Sequence, residues 1–174
     1  MKTEFVTQNF KETRELGKLL ANELKGGEVI CLFGELGAGK TTFTQGLLGG
    51  LGAEKPYTSP TFVVMKEYKT EVRRQKSVNP PAPRLRRASE SITNVYHFDA
   101  YRVGADDILN LGWEEIIADN GNICIVEWAD KLEKIIPDRA IWIGFEWLDD
   151  KRRKLLIGKK TKNLLKSQKH AKNT

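Results

Sequence analysis

Hydrophobic residues along the chain fall into short segments, some with the spacing of helices and some with the spacing of strands. Residues 11–24 carry leucines three and four positions apart, which predicts a helix that the following pair of glycines ends. Residues 29–33 are continuously apolar, as expected for a strand that is covered on both faces. A second helix is predicted from about residue 39 to residue 48, where another glycine pair, at 49 and 50, is expected to end it.

The rest of the chain continues this alternation of strand and helix patterns. The pattern predicts strands at residues 61–68, 94–98, 123–126, 140–147 and 154–157. Between them it predicts a helix over residues 105–117 and a short helix that ends at residues 135–137. Strands that alternate with helices indicate an α/β fold, with a central sheet that is largely parallel and has an antiparallel edge.

The chain is long enough for one domain with a single core, which we place at residues 1–158. Residues 70–90 interrupt it with six Lys and Arg and three of the six prolines, but with almost no large apolar side chains. Such a segment cannot bury enough surface to fold by itself, so it is predicted to be a mobile basic insertion, and residues 159–174 a frayed basic tail. The sequence shows no apolar run of membrane-spanning length and no signal peptide, so no membrane association is expected and the cytoplasm is the expected location.

The net charge of +6 is unevenly distributed along the chain. Residues 151–174 contribute +10 and residues 70–90 contribute +4, which leaves −8 on the rest of the chain. The basic residues therefore lie in two appendages, while the body that would carry a site is acidic. This distribution argues against a core that binds nucleic acid directly. The insertion and the tail could contact a nucleic acid or an acidic partner, and a purely solubilising role for them is equally open.

Glycines, a lysine and a threonine follow the first predicted strand in a spacing that is typical of phosphate binding. Gly34, Gly39, Lys40 and Thr41 fit the pattern G-x-x-x-x-G-K-[ST], placed between a strand and a helix. The glycines let backbone N–H groups turn toward phosphate oxygens, beside the positive end of the helix dipole. Lys40 can reach the outer phosphates, and the hydroxyl of Thr41 can bind Mg²⁺. The segment therefore predicts a site for a nucleotide and its magnesium ion.

Two predicted strands end in an acidic residue, Asp99 and Glu127. Ligands of parallel sheets bind at the carboxyl ends of the strands, and Mg²⁺ beside phosphates prefers carboxylate oxygens. A strand-end acid can also be merely the first solvated residue. We predict that Glu127 and Thr41 hold Mg²⁺, and that Asp99 acts on the metal through water or on the attacking water itself.

Several residues near these motifs have two interpretations each. Residues 58–61 could sense the outermost phosphate or form an ordinary Ser-Pro turn. Trp128 could pack in the core or anchor a partner, and position alone favours packing. His97 lies within a predicted strand, and its side chain points to the opposite face from those of its two neighbours. This position favours a structural role over that of a general base. Tyr101 and Arg102 could bring a cation to the nucleotide, although a surface ion pair explains them equally well.

Four segments, taken in order, resemble the TsaE family of small bacterial ATPases, which serve the synthesis of threonylcarbamoyladenosine in tRNA. They read GELGAGKTTF, TSPTF, VYHFDAYR and IVEWADKL, and the resemblance covers residues 5–157. It implies a three-layer fold like that of P-loop NTPases, and the cofactors ATP and Mg²⁺. It also implies slow ATP hydrolysis, which a TsaB–TsaD protein complex accelerates. The hydrolysis would reset this complex, so that contact with tRNA would be indirect.

The resemblance further implies roles for individual residues. The residues needed for hydrolysis would be Lys40, Asp99 and Glu127, and those that hold Mg²⁺ would be Thr41 and Glu127. The residues that surround the phosphates would be Gly37, Ala38, Gly39, Lys40, Thr41 and Thr42. Trp128 would matter near the site, and the adenine would lie near Phe10 and Thr13. Compact family members have only a short turn where this chain has residues 70–90, so the insertion departs from the family pattern.

The leading hypothesis is therefore a magnesium-dependent ATPase that supports threonylcarbamoyl modification of the tRNA adenosine beside the anticodon. The alternative is a small-molecule kinase in which Asp99 is the general base and Arg102 steadies the transferred phosphoryl group. A third hypothesis is an interaction module that is switched by nucleotide binding and has negligible turnover. A GTPase is disfavoured because the sequence lacks an Asn-Lys-x-Asp element for guanine.

Overall fold

The computed structural model describes residues 3–70 and 94–159. The elements in chain order are β1 Thr3–Thr7, α1 Phe10–Ala21, β2 Val29–Gly34, α2 Lys40–Leu51, β3 Met65–Lys69, β4 Asn94–Asp99, α3 Ala105–Leu109, α4 Trp113–Ala118, β5 Asn122–Glu127, a 3-10 helix Ala129–Leu132, β6 Ile141–Trp147 and β7 Arg153–Lys159. The segments predicted as a mobile insertion (70–90) and as a basic tail (159–174) lie outside the described residues, except for positions 70 and 159.

A seven-stranded sheet forms the middle of the described structure, in the order β1-β7-β6-β2-β5-β4-β3. Its four central strands, β6, β2, β5 and β4, pair in parallel. The outer strands β3, β7 and β1 pair antiparallel, so both edges of the sheet are antiparallel. The predicted α/β fold, with a parallel centre and an antiparallel edge, is confirmed, and the structure adds a second antiparallel edge.

Helices cover both faces of the sheet and give the protein three layers. Successive side chains of a strand point to opposite faces, so the central strands contribute to two separate cores. The core under α1 and α2 includes Ile30, Leu32, Ile125, Ile143 and Phe145. The core under α3, α4 and the 3-10 helix includes Val29, Cys31, Phe33, Val126 and Trp142. Strands β2, β4 and β5 all end at the same edge between these layers, and the candidate site lies at that edge.

The helices α1 and α2 approach each other so closely that glycine is required between them. A Cβ atom on Gly46 would lie 1.9 Å from the carbonyl oxygen of Arg14, and one on Gly50 would lie 2.5 Å from the Cβ atom of Ala21. α2 continues through the glycine pair and ends one residue before Gly52, which has a φ of 72°. The prediction that α2 ends at residues 49 and 50 is therefore wrong, because Gly50 serves helix packing and Gly52 serves termination.

The other predicted helices also differ from the structure at their ends. α1 ends at Ala21 rather than at residue 24, and Leu24 is buried in the core although it lies outside the helix. The helix predicted over residues 105–117 is divided into α3 and α4, and Gly112 between them has a φ of 82°. The short helix predicted to end at residues 135–137 is a 3-10 helix that ends at Leu132. No helix within the described ranges is long and apolar enough to cross a membrane.

Two strands at the edges of the sheet differ from the sequence pattern. β3 begins at Met65 rather than at residue 61, because the N–H groups of Val63 and Val64 donate to the carbonyl oxygen of Pro60 and form a turn there. The sequence pattern does not predict β1. Four of its five residues are exposed, so no alternating apolar face marks it.

Candidate functional site

The segment between β2 and α2 forms a loop whose backbone requires glycine at two positions. Gly37 has a φ of 77° and Gly39 a φ of 101°, and residues with a Cβ atom rarely adopt these backbone angles. A Cβ atom at Gly37 would meet nothing within 4 Å, so the requirement there is one of conformation rather than of space. α2 begins directly after Gly39 at Lys40. The loop therefore brings free N–H groups of the first helical turn to the cleft, as the motif predicts.

The side chain of Lys40 is buried against this loop. Its ammonium group donates to the carbonyl oxygens of Gly34 and Glu35, at 2.7 Å and 2.8 Å, and lies 3.6 Å from the centre of the Trp128 ring. Burial lowers the pKa of Lys40 to about 8, although nearby carboxylates, with Glu127 the strongest, act in the opposite direction. The ammonium group of Lys40 is therefore still charged at neutral pH, and it loses its proton as the pH rises through about 8.

Glu127, the last residue of β5, joins three side chains at the base of the cleft. It is 2% exposed, and its Oε2 atom accepts a hydrogen bond of 2.8 Å from the hydroxyl of Thr41. Its Oε1 atom lies 2.9 Å from Nε2 of His97 and 3.2 Å from the hydroxyl of Thr44. The structure thus brings together Thr41 and Glu127, the two residues predicted to hold Mg²⁺, and adds His97 and Thr44 to them.

Asp99 lies beside Glu127 and is fixed by donors from two segments. The two residues are register partners in the parallel pairing of β4 with β5. Oδ2 of Asp99 accepts hydrogen bonds from the hydroxyls of Thr61, at 2.5 Å, and Ser59, at 3.2 Å. Oδ1 accepts from the backbone N–H of Tyr101 at 2.9 Å. The hydroxyl groups of Ser59 and Thr61 therefore bind the turn before β3 to the carboxylate of Asp99. This contact is compatible with both interpretations of residues 58–61, the phosphate sensor and the ordinary turn.

Trp128 packs inside the cleft rather than projecting from it. The residue has a φ of 60°, which is unusual for a side chain of this size, and it precedes the 3-10 helix. Its half-buried ring lies against the ammonium of Lys40, and its centre is 5.0 Å from that of the Tyr101 ring. Arg102 instead stacks outside the cleft, with its guanidinium 4.9 Å from the ring of the exposed Phe62.

Two adjoining clefts meet at the glycine loop. The larger has a volume of about 250 Å³ and is lined by Leu36, Gly37, Gly39, Lys40, Thr41, Thr42, Thr61, Asp99, Tyr101, Glu127 and Trp128. The smaller has a volume of about 140 Å³ and is lined by Asn9, Phe10, Thr13, Gly37, Gly39, Thr42, Asp150, Lys151 and Arg153. Gly37, Gly39 and Thr42 line both clefts. Ala38 of the predicted phosphate-binding set lines neither and is buried.

The sequence motifs omit Thr44 and assign His97 only a structural role, yet both contact Glu127. Position contained a signal for each of them. Thr44 lies four residues after Lys40, on the same face of α2, and His97 lies two residues before Asp99, on the same face of β4. Residues at these spacings point toward the same edge of the sheet as the predicted site residues.

The donor set at the base of the cleft suits a magnesium ion that is bound together with phosphates. Thr41, Glu127 and Asp99 offer oxygen atoms, which Mg²⁺ prefers. Within residues 3–70 and 94–159, no group of three or more His, Cys, Asp or Glu side chains is arranged to hold a metal alone. Because Mg²⁺ needs about six ligands, phosphate oxygens and water would complete its coordination here.

Comparison with known proteins gives consistent matches over most of the chain. The model of the family described as "Threonylcarbamoyl adenosine biosynthesis protein TsaE" matches residues 7–155. The tRNA threonylcarbamoyladenosine biosynthesis protein TsaE of Bacillus subtilis is 35% identical over 149 residues, which cover 86% of this chain and 80% of that protein. The protein of the same name from Streptomyces coelicolor is 38% identical over 129 residues, covering 72% and 74%. The crystal structure of Bacillus subtilis YdiB aligns with a TM-score of 0.68 and 28% identity, covering 99% of this chain and 97% of that one.

Proposed function

The chain belongs to the TsaE family of threonylcarbamoyl adenosine biosynthesis proteins, and on this premise we propose that it is a magnesium-dependent ATPase that serves this tRNA modification. The observation that carries the proposal is the hydrogen bond between Thr41 and Glu127 at the base of the glycine loop. It joins the hydroxyl of the phosphate-binding motif to a strand-end carboxylate, which is the pair of protein ligands that P-loop enzymes use for Mg²⁺.

In this proposal the residues of the larger cleft divide the work on the phosphates. The backbone N–H groups of residues 37–42 and the helix dipole of α2 bind the phosphate oxygens, and the ammonium of Lys40 neutralises the outer ones. Mg²⁺, held by Thr41 and Glu127, would withdraw charge from the phosphoryl group. Asp99 orients the water that attacks the phosphoryl group, or accepts a proton from this water.

The smaller cleft is proposed to hold the adenosine part of the nucleotide. It adjoins the larger cleft through Gly37, Gly39 and Thr42, so a nucleotide can extend from one to the other. Phe10 is 60% exposed at its rim and offers an aromatic face, while Thr13 is buried beneath it. This position supports the expectation that the adenine lies near these two residues.

The proposed partner is a protein complex like the TsaB–TsaD pair, in the cytoplasm, with contact to tRNA only through that complex. Leu36 lines the larger cleft, Phe62 and Val63 follow Thr61 of its lining in the chain, and all three apolar side chains are exposed. An apolar rim beside a charged cleft suits a protein partner better than a nucleic acid backbone. The kinase alternative gains no support, because Arg102 stacks on Phe62 and does not line the cleft.

ATP turnover of the purified protein tests this proposal. We expect slow hydrolysis that requires Mg²⁺ and that increases when a purified TsaB–TsaD pair is added. Release of ADP that instead depends on a small-molecule acceptor would support the kinase, and nucleotide binding without turnover under either condition would support a nucleotide-switched module.

A further inference from the structure

The two oxygen atoms of Glu127 have different surroundings, although both are buried. Oε2 accepts a hydrogen bond from the hydroxyl of Thr41, which lines the larger cleft. Oε1 faces away from this hydroxyl, toward His97 on β4 and Thr44 on α2. One oxygen is thus connected to the cleft, and the other is connected to two elements of the fold.

The two partners of Oε1 are not equivalent donors. The hydroxyl of Thr44 lies 3.1 Å from the carbonyl oxygen of Lys40 and 3.2 Å from Oε1, and it has one proton for these two acceptors. In the part of the chain that the structure describes, Nε2 of His97 has only Oε1 as a partner, at the shorter distance of 2.9 Å. Because a carboxylate oxygen accepts only, Nε2 is the donor when Glu127 is ionised, and His97 is then the dedicated donor to Oε1.

The other ring nitrogen of His97 supports a role directed at Glu127. Nδ1 is buried and has no hydrogen-bond partner among residues 3–70 and 94–159, and the whole residue is 1% exposed. Burying a polar atom without a partner is unfavourable, and an apolar residue would fill this position in β4 without that cost. The only polar contact that the structure gives the ring within the described residues is the one to Glu127.

We propose that His97 is a positioning residue that fixes Oε1 of Glu127, so that Oε2 stays beside Thr41 and available to the metal; this inference rests on the proposed function of the site. When a metal ligand must keep one oxygen oriented, a buried donor to its other oxygen prevents rotation of the carboxylate and lowers the entropy that binding has to remove. His97 touches neither nucleotide nor metal and acts only through Glu127.

Binding of ADP, measured by titration calorimetry in excess EDTA and at increasing Mg²⁺ concentrations, tests this role. His97→Gln retains an amide near the position of Nε2, whereas His97→Asn is equally polar but its amide lies near the position of Nδ1 and does not reach Oε1. We expect His97→Asn to raise the Mg²⁺ concentration needed for half-maximal strengthening of ADP binding by about 10- to 100-fold. His97→Gln should stay close to the unmodified protein, and ADP affinity in EDTA should be the same for all three.

Val95→Ala is the control for general loosening of β4, because Val95 is buried in the same strand and is paired with Ile123 rather than with Glu127. We expect it to lower stability without changing the Mg²⁺ requirement. The proposal is overturned if His97→Asn keeps the original Mg²⁺ requirement, if it weakens ADP binding equally in EDTA and Mg²⁺, or if Val95→Ala shifts the requirement as much. If Mg²⁺ does not strengthen ADP binding to the unmodified protein, the proposed function fails, which is a distinct result.

Discussion

Asp99 and Glu127 lie directly opposite each other at the ends of two neighbouring parallel strands. Both are almost fully buried, yet each accepts hydrogen bonds from different groups: Asp99 from the turn before β3 and Glu127 from α2 and β4. Two adjacent carboxylates with separate donors can have separate tasks.

Replacing Asp99 by Asn should lower ATP hydrolysis by about 10²- to 10⁴-fold, because the amide cannot accept a proton from the attacking water. Affinity for ADP should be unchanged, since Asp99 is proposed to act on the water and not on the phosphates. Steady-state phosphate release and ADP titration measure the two quantities. Asp106→Asn, an exposed acid in the first turn of α3, is the control. Equal turnover of Asp99→Asn and the unmodified protein would exclude the proposed role.

Replacing Thr41 by Val should remove most of the strengthening that Mg²⁺ gives to ADP binding, because the methyl group offers no oxygen to the metal. Binding in excess EDTA should remain, since the backbone N–H groups of the loop are unaffected. Thr41→Ser keeps the hydroxyl and should behave like the unmodified protein. If Val and Ser variants give the same Mg²⁺ dependence, the hydroxyl is not a ligand.

The affinity for ADP should depend on pH through Lys40. Its pKa is lowered to about 8 by burial, so its ammonium group loses the proton as the pH rises through that value. Bound phosphate favours the charged form and raises this pKa. Affinity should therefore be constant below pH 8 and fall by up to about tenfold per pH unit above it.

Titrations in EDTA between about pH 7.5 and pH 9.5 measure this dependence. Lys40→Arg keeps its charge over this range, so its affinity should show no decline. A decline of the same size in this variant would assign the titration to another group.

Two adjacent glycines of α2 should respond differently to alanine. A Cβ atom at Gly50 would meet Ala21 at 2.5 Å and the carbonyl oxygen of Lys18 at 2.9 Å, so Gly50→Ala should cost about 1–3 kcal/mol of unfolding free energy. At Gly49 the nearest atom is in the ring of Tyr57 at 3.6 Å, which is ordinary contact. Gly49→Ala should therefore be neutral or add up to about 1 kcal/mol through helix propensity. Urea denaturation measures both, and a Gly50→Ala variant as stable as Gly49→Ala would show that α1 and α2 are not so closely packed.

The glycine loop before α2 is predictable from sequence because its determinants are local. The spacing of Gly34, Gly39 and Lys40 after an apolar strand contains both the turn and the start of the helix. The proximity of Asp99 and Glu127 follows from a general rule, since the carboxyl ends of parallel strands meet at one edge. The loop and the two strand-end acids can be assigned to one edge of the sheet once the strands are taken as parallel, without knowing the order of the strands.

Several features that the sequence pattern misses depend on a partner that is distant in the chain. His97 meets Glu127 across 30 residues, and Gly50 meets Ala21 on another helix. Without that second helix, a glycine pair most often marks an end, which is why the predicted boundary of α2 is wrong. β1 is held by its pairing with β7, at the far end of the chain, and its own exposed residues give no sign of it.

The close contact of α1 and α2 fixes the spacing between the two parts of the proposed nucleotide site. Phe10 and Thr13 belong to the first turns of α1, while Lys40 opens α2, so the proposed ends of the nucleotide site are on two helices with no room to slide. The distance between the aromatic rim and the glycine loop is thereby set by rigid backbone rather than by a closing segment. In the proposed site, the packed helices would therefore fix the distance between the position of the base and that of the phosphates.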